Sequence, residues 1–243
     1  MIHRGGKLVT IDEVRATHTP LNTRTHYPLA HGKFIDRTKE ALLSGGYKIV
    51  NEAHALAKEG NRYFGTIELA NHGELQDYGW VVGLRNSHDR SCSAGIVAGT
   101  RVFVCDNMAF SGEVSIGRAH TRFCERDLVG LTARAVGKLN NHLWQLDSRI
   151  DAYKDRDMSN RDAHDLIIRA VDARGIVARD IPHVLNEWRN PSHQEFRPRN
   201  AWSLFNAATE VHKRLRPNAL IQRGNSLHGV FDAFVGLSPV KPN

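Results

Sequence analysis

Cysteine is scarce in this chain of 243 residues, which contains three. The number is odd, and the spacing is not that of a small disulfide-bonded scaffold, so a reducing compartment is expected. No apolar run is long enough to cross a bilayer, and the first residues lack the apolar stretch of a secretory signal. The sequence therefore predicts a cytoplasmic protein that has no membrane partner.

Common catalytic motifs are also missing. The chain has no Gly-x-Ser-x-Gly, no phosphate-binding-loop pattern and no His-Glu-x-x-His. Asp147, Asp151, Asp155 and Asp157 could bind Mg²⁺, but the first three recur every four residues opposite an apolar stripe. That spacing is typical of a solvated helix face. Enzymatic activity is therefore uncertain, and a non-enzymatic protein is favoured.

Positive charge exceeds negative charge. The formal net charge is +7, with 33 Lys and Arg against 26 Asp and Glu, which favours a polyanionic partner such as nucleic acid. Between residues 196 and 223 there are six basic residues and a single acidic one. The candidate nucleic-acid-binding residues are Arg197, Arg199, Lys213, Arg214, Arg216 and Arg223.

Aromatic rings interleave with these cations. Phe196, Trp202, Phe205 and His212 could stack on bases while the cations neutralise phosphates, a pairing that is independent of base sequence. Trp202 and Phe205 are three residues apart, however, and that spacing also fits the apolar face of an amphipathic helix. We expect those two rings to lie in the core and the cations to remain accessible.

A polar segment between two apolar runs is the second candidate site. Residues 85–90 read Arg-Asn-Ser-His-Asp-Arg and are expected to form a loop held by buried strands, where proteins tend to place functional groups. Alternatively, Asn86 and Asp89 cap a tight turn through their own backbone. The candidate ligand-binding residues are Arg85, Asn86, Ser87, His88, Asp89, Arg90, Asp106 and Asn107, which we expect to gather together.

A metal site is an alternative use of the same region. Zinc could be bound by residues drawn from His88, Cys92, Cys105, His120 and Cys124. The close pair of cysteines usual in structural zinc sites is missing, and Cys105 ends an apolar strand where a free cysteine packs as a small core residue. No cofactor is predicted, and zinc and magnesium remain alternatives.

Hydrophobic periodicity predicts an α+β fold in a single domain, residues 1–243. We expect an extended arm over 1–31, then a helix plus a mainly antiparallel, curved sheet of five or six strands over 32–123. A helical region over 124–243 should contain one long helix and further helices. The predicted strands and turns are 48–57, 62–70, 78–84, a hairpin 93–105 turning at 99–100, and 113–120. The predicted helices are 36–44, 125–154, 160–174, 182–188, 201–215 and one within 219–234.

Local signals support three of these helices. Leu and other apolar residues fall at intervals of three and four between residues 128 and 153, which indicates one stripe along the long helix. Ser159 with Asp162 resembles a capping box, and Asn200 is the expected N-cap of the next-to-last helix. Because the stripe is nearly heptad, we also expect a homo-oligomer.

Four segments of the chain are distinctive: Thr19-Pro20 with Tyr27-Pro28-Leu29-Ala30-His31, Arg85 to Asp89, Arg101 to Asn107, and Asn200 to Glu210. In this order they resemble segments of a phage- and plasmid-encoded family called domain of unknown function 932. The resemblance implies a mobile-element or bacteriophage gene, and hence a bacterial host cell, but no activity and no catalytic residues. The element order is also similar in outline to single-strand annealing proteins of the Rad-fifty-two type, a fold-level analogy only.

Three functions compete. The leading one is a non-enzymatic nucleic-acid-binding protein, acting on single-stranded DNA in recombination or replication. The second is a counter-defence protein that binds a small nucleotide or another host component. The third is a metal-dependent phosphodiesterase or nuclease, which would need His88, Asp89 and Asp106 to converge on a cation. A continuous basic groove would favour the first, an arginine-lined pocket the second, and clustered carboxylates with histidine the third.

Overall fold

The computed structural model describes residues 6–70, 78–102, 108–118, 123–215 and 217–237. The expected α+β class is confirmed: strands dominate the first half and helices the second. The strands are β1 (Lys7–Val9), β2 (Ile49–Ala57), β3 (Arg62–Leu69), β4 (Tyr78–Ser87), β5 (Ala94–Val102) and β6 (Met108–Arg118). The helices of the described ranges are α1 (Ile11–Arg15), α2 (His31–Ser44), α3 (Cys124–Lys154), α4 (Asn160–Asp172), α5 (Ile181–Arg189), α6 (Ala201–His212) and α7 (Pro217–Val235).

The strands form one six-stranded sheet in the order β1 to β6, so each strand lies beside its predecessor. The pairs β1–β2, β2–β3 and β3–β4 are antiparallel. His54 lies opposite Gly65, and Tyr63 lies opposite Asn86. Because side chains two residues apart share a face of a strand, all four belong to one face of the sheet.

The expected hairpin around residues 99–100 is wrong, because β5 continues through them to Val102. Gly99 and Thr100 are turn-forming types, but Ile96, Val97 and Thr100 are all buried. A turn at these buried residues would leave backbone N–H and C=O groups without hydrogen bonds to neighbouring strands, whereas the extended strand keeps those bonds. Residues 103–105, the expected end of the hairpin, lie outside the described residues.

The first 31 residues hold more regular structure than the expected arm. Thr10 and Glu13 form a capping box that starts α1: the Glu13 amide donates to Thr10 Oγ1, and the Thr10 amide donates to Glu13 Oε2. Helix α2 begins at His31, five residues before the expected start, and its N-cap Ala30 provides no side-chain hydrogen bond that would mark the position.

The chain divides into two compact units. The first comprises residues 1–99 and 113–142, and the second residues 100–112 and 143–243. The expectation of a single domain stays a prediction. In the first unit, α2 provides fully buried Phe34 and Leu42, and the sheet provides Ile67, Val82 and Leu84 from the face that carries Asn86.

The second unit has an aromatic core. Phe205 of α6 stacks on Trp202 with ring centroids 5.8 Å apart and meets Phe231 of α7 edge-on at 5.2 Å. A buried ion pair joins Arg149 Nε to Asp232 Oδ1 at 2.8 Å, and the Tyr153 hydroxyl donates to the same oxygen at 2.7 Å. The buried Asp232 carboxylate is therefore both paired with a positive charge and hydrogen-bonded, which offsets the cost of its burial.

The local helix signals are confirmed. Asn200 Oδ1 accepts from the Ser203 amide at 3.0 Å at the start of α6. Ser159 and Asp162 form the expected capping box of α4. The long helix α3 has 31 residues and ends at Lys154 as predicted. No described helix is long and apolar enough to span a membrane.

Candidate functional site

The polar segment 85–90 is not a simple loop, because β4 extends to Ser87 and includes its first three residues. Asn86 and Ser87 are fully buried, and His88 is 5% exposed. Arg85 is partly exposed, and the segment is exposed to solvent from Asp89 onward. The segment therefore consists of a buried part and an exposed part, which have different chemical surroundings.

Asn86 lies at the centre of the buried part. Its Nδ2 donates to the Leu29 carbonyl at 2.8 Å and to His31 Nδ1 at 2.9 Å. His31 Nε2 lies 2.9 Å from the Gly60 carbonyl, so it carries the ring proton and leaves Nδ1 as the acceptor. His88 Nε2 donates to the Leu29 carbonyl at 3.0 Å, and its ring stacks on His31 at 3.9 Å.

His26 completes a group that we call the histidine–asparagine cluster: His26, His31, Asn86 and His88. His26 Nε2 lies 3.0 Å from the His88 carbonyl oxygen. Burial lowers the pKa of His88, so the ring is neutral at pH 7. Together these bonds join residues 26–31 to the turn between β2 and β3 and to the end of β4. Asn86 Oδ1 and His88 Nδ1 are buried without a hydrogen-bond partner among the described residues.

The exposed part is held by ionic and backbone contacts. Arg62 Nε contacts Asp89 Oδ2 at 2.6 Å, and the Ser91 amide donates to Asp89 Oδ1 at 3.0 Å. Burial alone would raise the pKa of Asp89, but the hydrogen bonds from Ser91 and Arg62 outweigh it and lower the pKa to about 2. Both carboxylate oxygens are thus engaged. Arg90 donates to Thr23 Oγ1 at 3.3 Å.

Several predicted site residues cannot be placed beside these. Asp106 and Asn107 lie outside the described residues, as do Cys105 and His120, and of Cys124 only the backbone is described. Cys92 is a free cysteine whose amide donates to Ser87 Oγ at 3.0 Å. Within the described ranges, no group of three His, Cys, Asp or Glu side chains could hold a metal ion. The ligand-binding role of residues 85–90 stays a prediction.

The second unit contains a cavity lined by cationic side chains, which we call the arginine cavity. Its volume is about 420 Å³, and it is lined by Arg189, Asn190, Pro191, Arg197 and Arg199. Arg189 is the last residue of α5, while Arg197 and Arg199 lie just before α6 begins. The polypeptide between these helices thus returns to the end of α5 and brings the three exposed guanidinium groups together.

Arg199 is held in place from two sides. Its Nη1 donates to Asn160 Oδ1 at 3.1 Å, and its guanidinium carbon lies 4.8 Å from the centre of the Trp188 ring. Trp188 Nε1 donates to the same Asn160 oxygen at 3.2 Å. The cation–π contact and the shared acceptor fix the guanidinium without neutralising it.

In the part of the chain that the structure describes, no carboxylate forms an ion pair with Arg189, Arg197 or Arg199 of the arginine cavity. Glu187, two residues before Arg189, instead accepts hydrogen bonds from the Ser192 amide at 2.8 Å and hydroxyl at 2.9 Å. Three cationic groups therefore face one small volume, an arrangement suited to an oxyanion.

The other expected nucleic-acid-binding residues do not line this cavity. Lys213 is paired with Glu210 at 2.6 Å, and Arg216 lies outside the described residues. Arg214 and Arg223 are described but are not among its lining residues. Sequence reasoning missed Arg189 and Asn160, although the Asn190-Pro191 turn signal after a basic helix end could have suggested that the chain folds back there.

The aromatic side chains of the basic segment are unavailable for stacking. Phe196, Trp202, Phe205 and His212 are each at most 5% exposed. The expectation that Trp202 and Phe205 lie in the core is confirmed. The expectation that these four rings could stack on bases is wrong, because they are already packed inside the second unit.

Comparison with known proteins agrees with the resemblance seen in the sequence. The described residues form an α+β protein with a six-stranded sheet and an arginine-lined cavity. The chain belongs to the family described as domain of unknown function (DUF932), whose model matches residues 31–229. That range contains the arginine cavity and all of the histidine–asparagine cluster except His26. No curated protein and no solved structure matches the chain.

Proposed function

We propose that this protein binds nucleic acid through its phosphates, without catalysis, and that single-stranded DNA is its ligand in phage or plasmid recombination or replication. The observation that carries the proposal is the arginine cavity, which is open to solvent and can therefore admit a phosphate of a longer strand as well as a small nucleotide. Its three guanidinium groups are exposed and have no ion-pair partner among the described residues. Since such groups neutralise phosphates and release condensed counterions, they supply sequence-independent affinity.

The chemistry of the arginine cavity favours backbone contacts over base contacts. A guanidinium group can donate two parallel hydrogen bonds to phosphate oxygens, and Arg199 is already oriented for this by Asn160 and Trp188. Trp188 itself is 1% exposed, so it supports Arg199 and does not offer a face to a base. Binding at this site should therefore depend strongly on salt and weakly on base sequence.

A single strand suits a concave site better than a duplex. The phosphates of a duplex lie at fixed spacing on a stiff, convex surface, whereas an unpaired strand can bend so that one phosphate enters a cavity. The order of elements, hairpin strands followed by one long helix, is also similar in outline to that of single-strand annealing proteins. That similarity concerns element order alone.

A small nucleotide is the second candidate ligand. The volume of about 420 Å³ is within the range of small-molecule sites, and an arginine-lined pocket is the feature expected of a nucleotide-binding counter-defence protein. No observation favours the phosphodiesterase, since Asp89 is engaged by Arg62 and Ser91.

Binding to a labelled single-stranded oligonucleotide, measured by fluorescence anisotropy, tests the proposal. Replacing Arg189, Arg197 and Arg199 together by Ala should weaken binding by at least roughly tenfold, because hydrogen bonds between charged groups contribute about 1.5–3 kcal/mol each. Arg179→Ala is the control: it removes one positive charge from a side chain that is 86% exposed and outside the cavity, and it should leave the affinity nearly unchanged.

Two results would contradict the proposal. One is undetectable oligonucleotide binding at ~50 mM salt, where phosphate contacts are strong. The other is wild-type affinity in the triple variant. Binding of a mononucleotide without binding of any oligonucleotide would favour the second candidate.

A further inference from the structure

We infer that the arginine cavity recognises a phosphomonoester, the terminal phosphate of a strand, in preference to the phosphodiesters within it. This inference rests on the proposed function and narrows its ligand. It follows from the charge of the cavity and from its number of hydrogen-bond donors.

The charges match a terminal phosphate. Arg189, Arg197 and Arg199 bring three positive charges to one volume, with no ion-paired carboxylate among the described residues. A phosphodiester carries a single negative charge, whereas a phosphomonoester carries about −1.5 to −2 at pH 7. Only the monoester neutralises most of the charge gathered there.

The hydrogen-bond donors of the arginine cavity also match a terminal phosphate. A phosphodiester within a strand offers two non-bridging oxygens, and a terminal phosphate offers three strong acceptor oxygens. Each guanidinium in the cavity can direct parallel N–H donors at one or two of them. Two of the three groups have defined support outside the cavity: Arg199 donates to Asn160, and Arg189 Nη2 lies 3.4 Å from His164 Nε2.

Oligonucleotides that differ only at their ends test the inference. One sequence is compared with a 5′-phosphate, with a 3′-phosphate and with neither, and a nucleoside monophosphate and inorganic phosphate serve as competitors. We expect one phosphorylated form to bind roughly tenfold more tightly, the effect of one added charge-assisted contact. Arg197→Ala with Arg199→Ala should abolish that preference, while Arg179→Ala should keep it at an unchanged melting temperature.

The outcomes separate this inference from the proposed function. Equal binding of all three oligonucleotides, with equal loss in the arginine variants, would overturn end recognition and leave nucleic-acid binding intact. Direct binding of the nucleoside monophosphate, measured by calorimetry, in a protein that binds no oligonucleotide would support phosphomonoester recognition but overturn the proposed ligand. Absence of binding by every probe would overturn both.

Discussion

At the scale of single residues, strain is concentrated in the turn between β2 and β3. Lys58, Glu59 and Gly60 all have positive φ, at 53°, 55° and 86°. Gly60 adopts this left-handed backbone conformation without steric cost, but it is unfavourable for Lys58 and Glu59, which have a Cβ atom. The turn is nevertheless retained, and its Gly60 carbonyl accepts the hydrogen bond from His31 that anchors the histidine–asparagine cluster.

Glu59→Gly should raise the free energy of unfolding by about 0.5–1 kcal/mol, because relief of the left-handed conformation exceeds the entropy added to the unfolded chain. Urea denaturation measures this difference. The same replacement at Glu40, in the middle of α2, is the matched control and should lower stability by about 1 kcal/mol. Equal destabilisation by both would show that the turn carries no strain.

Asn86 illustrates what single-residue reasoning could and could not find. The sequence singled out Asn86 and His88 by their polarity between apolar runs, and the structure does place both at the end of a strand. Their partners, Leu29 and His31, are 55 to 59 positions away in the chain. Nothing local to residues 85–90 encodes those contacts, so burial of the cluster could not be predicted.

At the scale of secondary-structure elements, the N-cap of α6 joins two segments. Asn200 Oδ1 caps the helix through the Ser203 amide, and its Nδ2 donates to the Lys154 carbonyl at the end of α3, each at 3.0 Å. One side chain thereby satisfies an orphan donor of one helix and an orphan acceptor of another. This explains physically why the helix begins where the Asn200 signal predicts.

Asn200→Ala should lower the free energy of unfolding by about 1–2 kcal/mol, since it removes the cap and leaves the Lys154 carbonyl without this donor. Asn200→Asp retains the capping oxygen but not the amide donor, so its stability should lie between wild type and Asn200→Ala. Urea denaturation of the three proteins gives the order. An Ala variant as stable as wild type would contradict this account of α6.

Helices were easier to predict than strands for a physical reason. Helices α3, α4 and α6 are specified by apolar periodicity and caps, which are read within a few residues. Strand β5 depends on neighbouring strands: Gly99 and Thr100 are turn formers by type, yet the sheet keeps them extended. The arginine cavity likewise depends on a turn that brings Arg197 and Arg199 to Arg189.

At the scale of the whole molecule, buried histidines link stability to pH. Burial lowers the pKa of His54 and His88 in the first unit. In the second unit, burial lowers the pKa of His212 to about 4 and lowers that of His228 well below its usual value. Each ring is neutral in the folded protein and gains a proton more readily once unfolded, so the unfolded state binds more protons below the ordinary histidine pKa.

The free energy of unfolding should therefore be constant above about pH 6.5 and fall as the pH decreases toward 4. His212→Gln, whose amide can still donate to the Gly175 carbonyl, should make this decline shallower. Urea denaturation across this pH range measures both curves. A wild-type stability that does not change over that range would refute the role of the buried histidines.

The salt dependence of single-stranded DNA binding tests the central claim, that phosphates are bound at the arginine cavity, most directly. The logarithm of the association constant should fall linearly with the logarithm of salt concentration, by about 0.7 for each phosphate neutralised. Replacing Arg189, Arg197 and Arg199 by Ala should reduce that slope by about 2, the contribution of up to three contacts, while Arg179→Ala leaves it unchanged. A triple variant with the wild-type slope would show that the phosphates are bound elsewhere and would contradict the account.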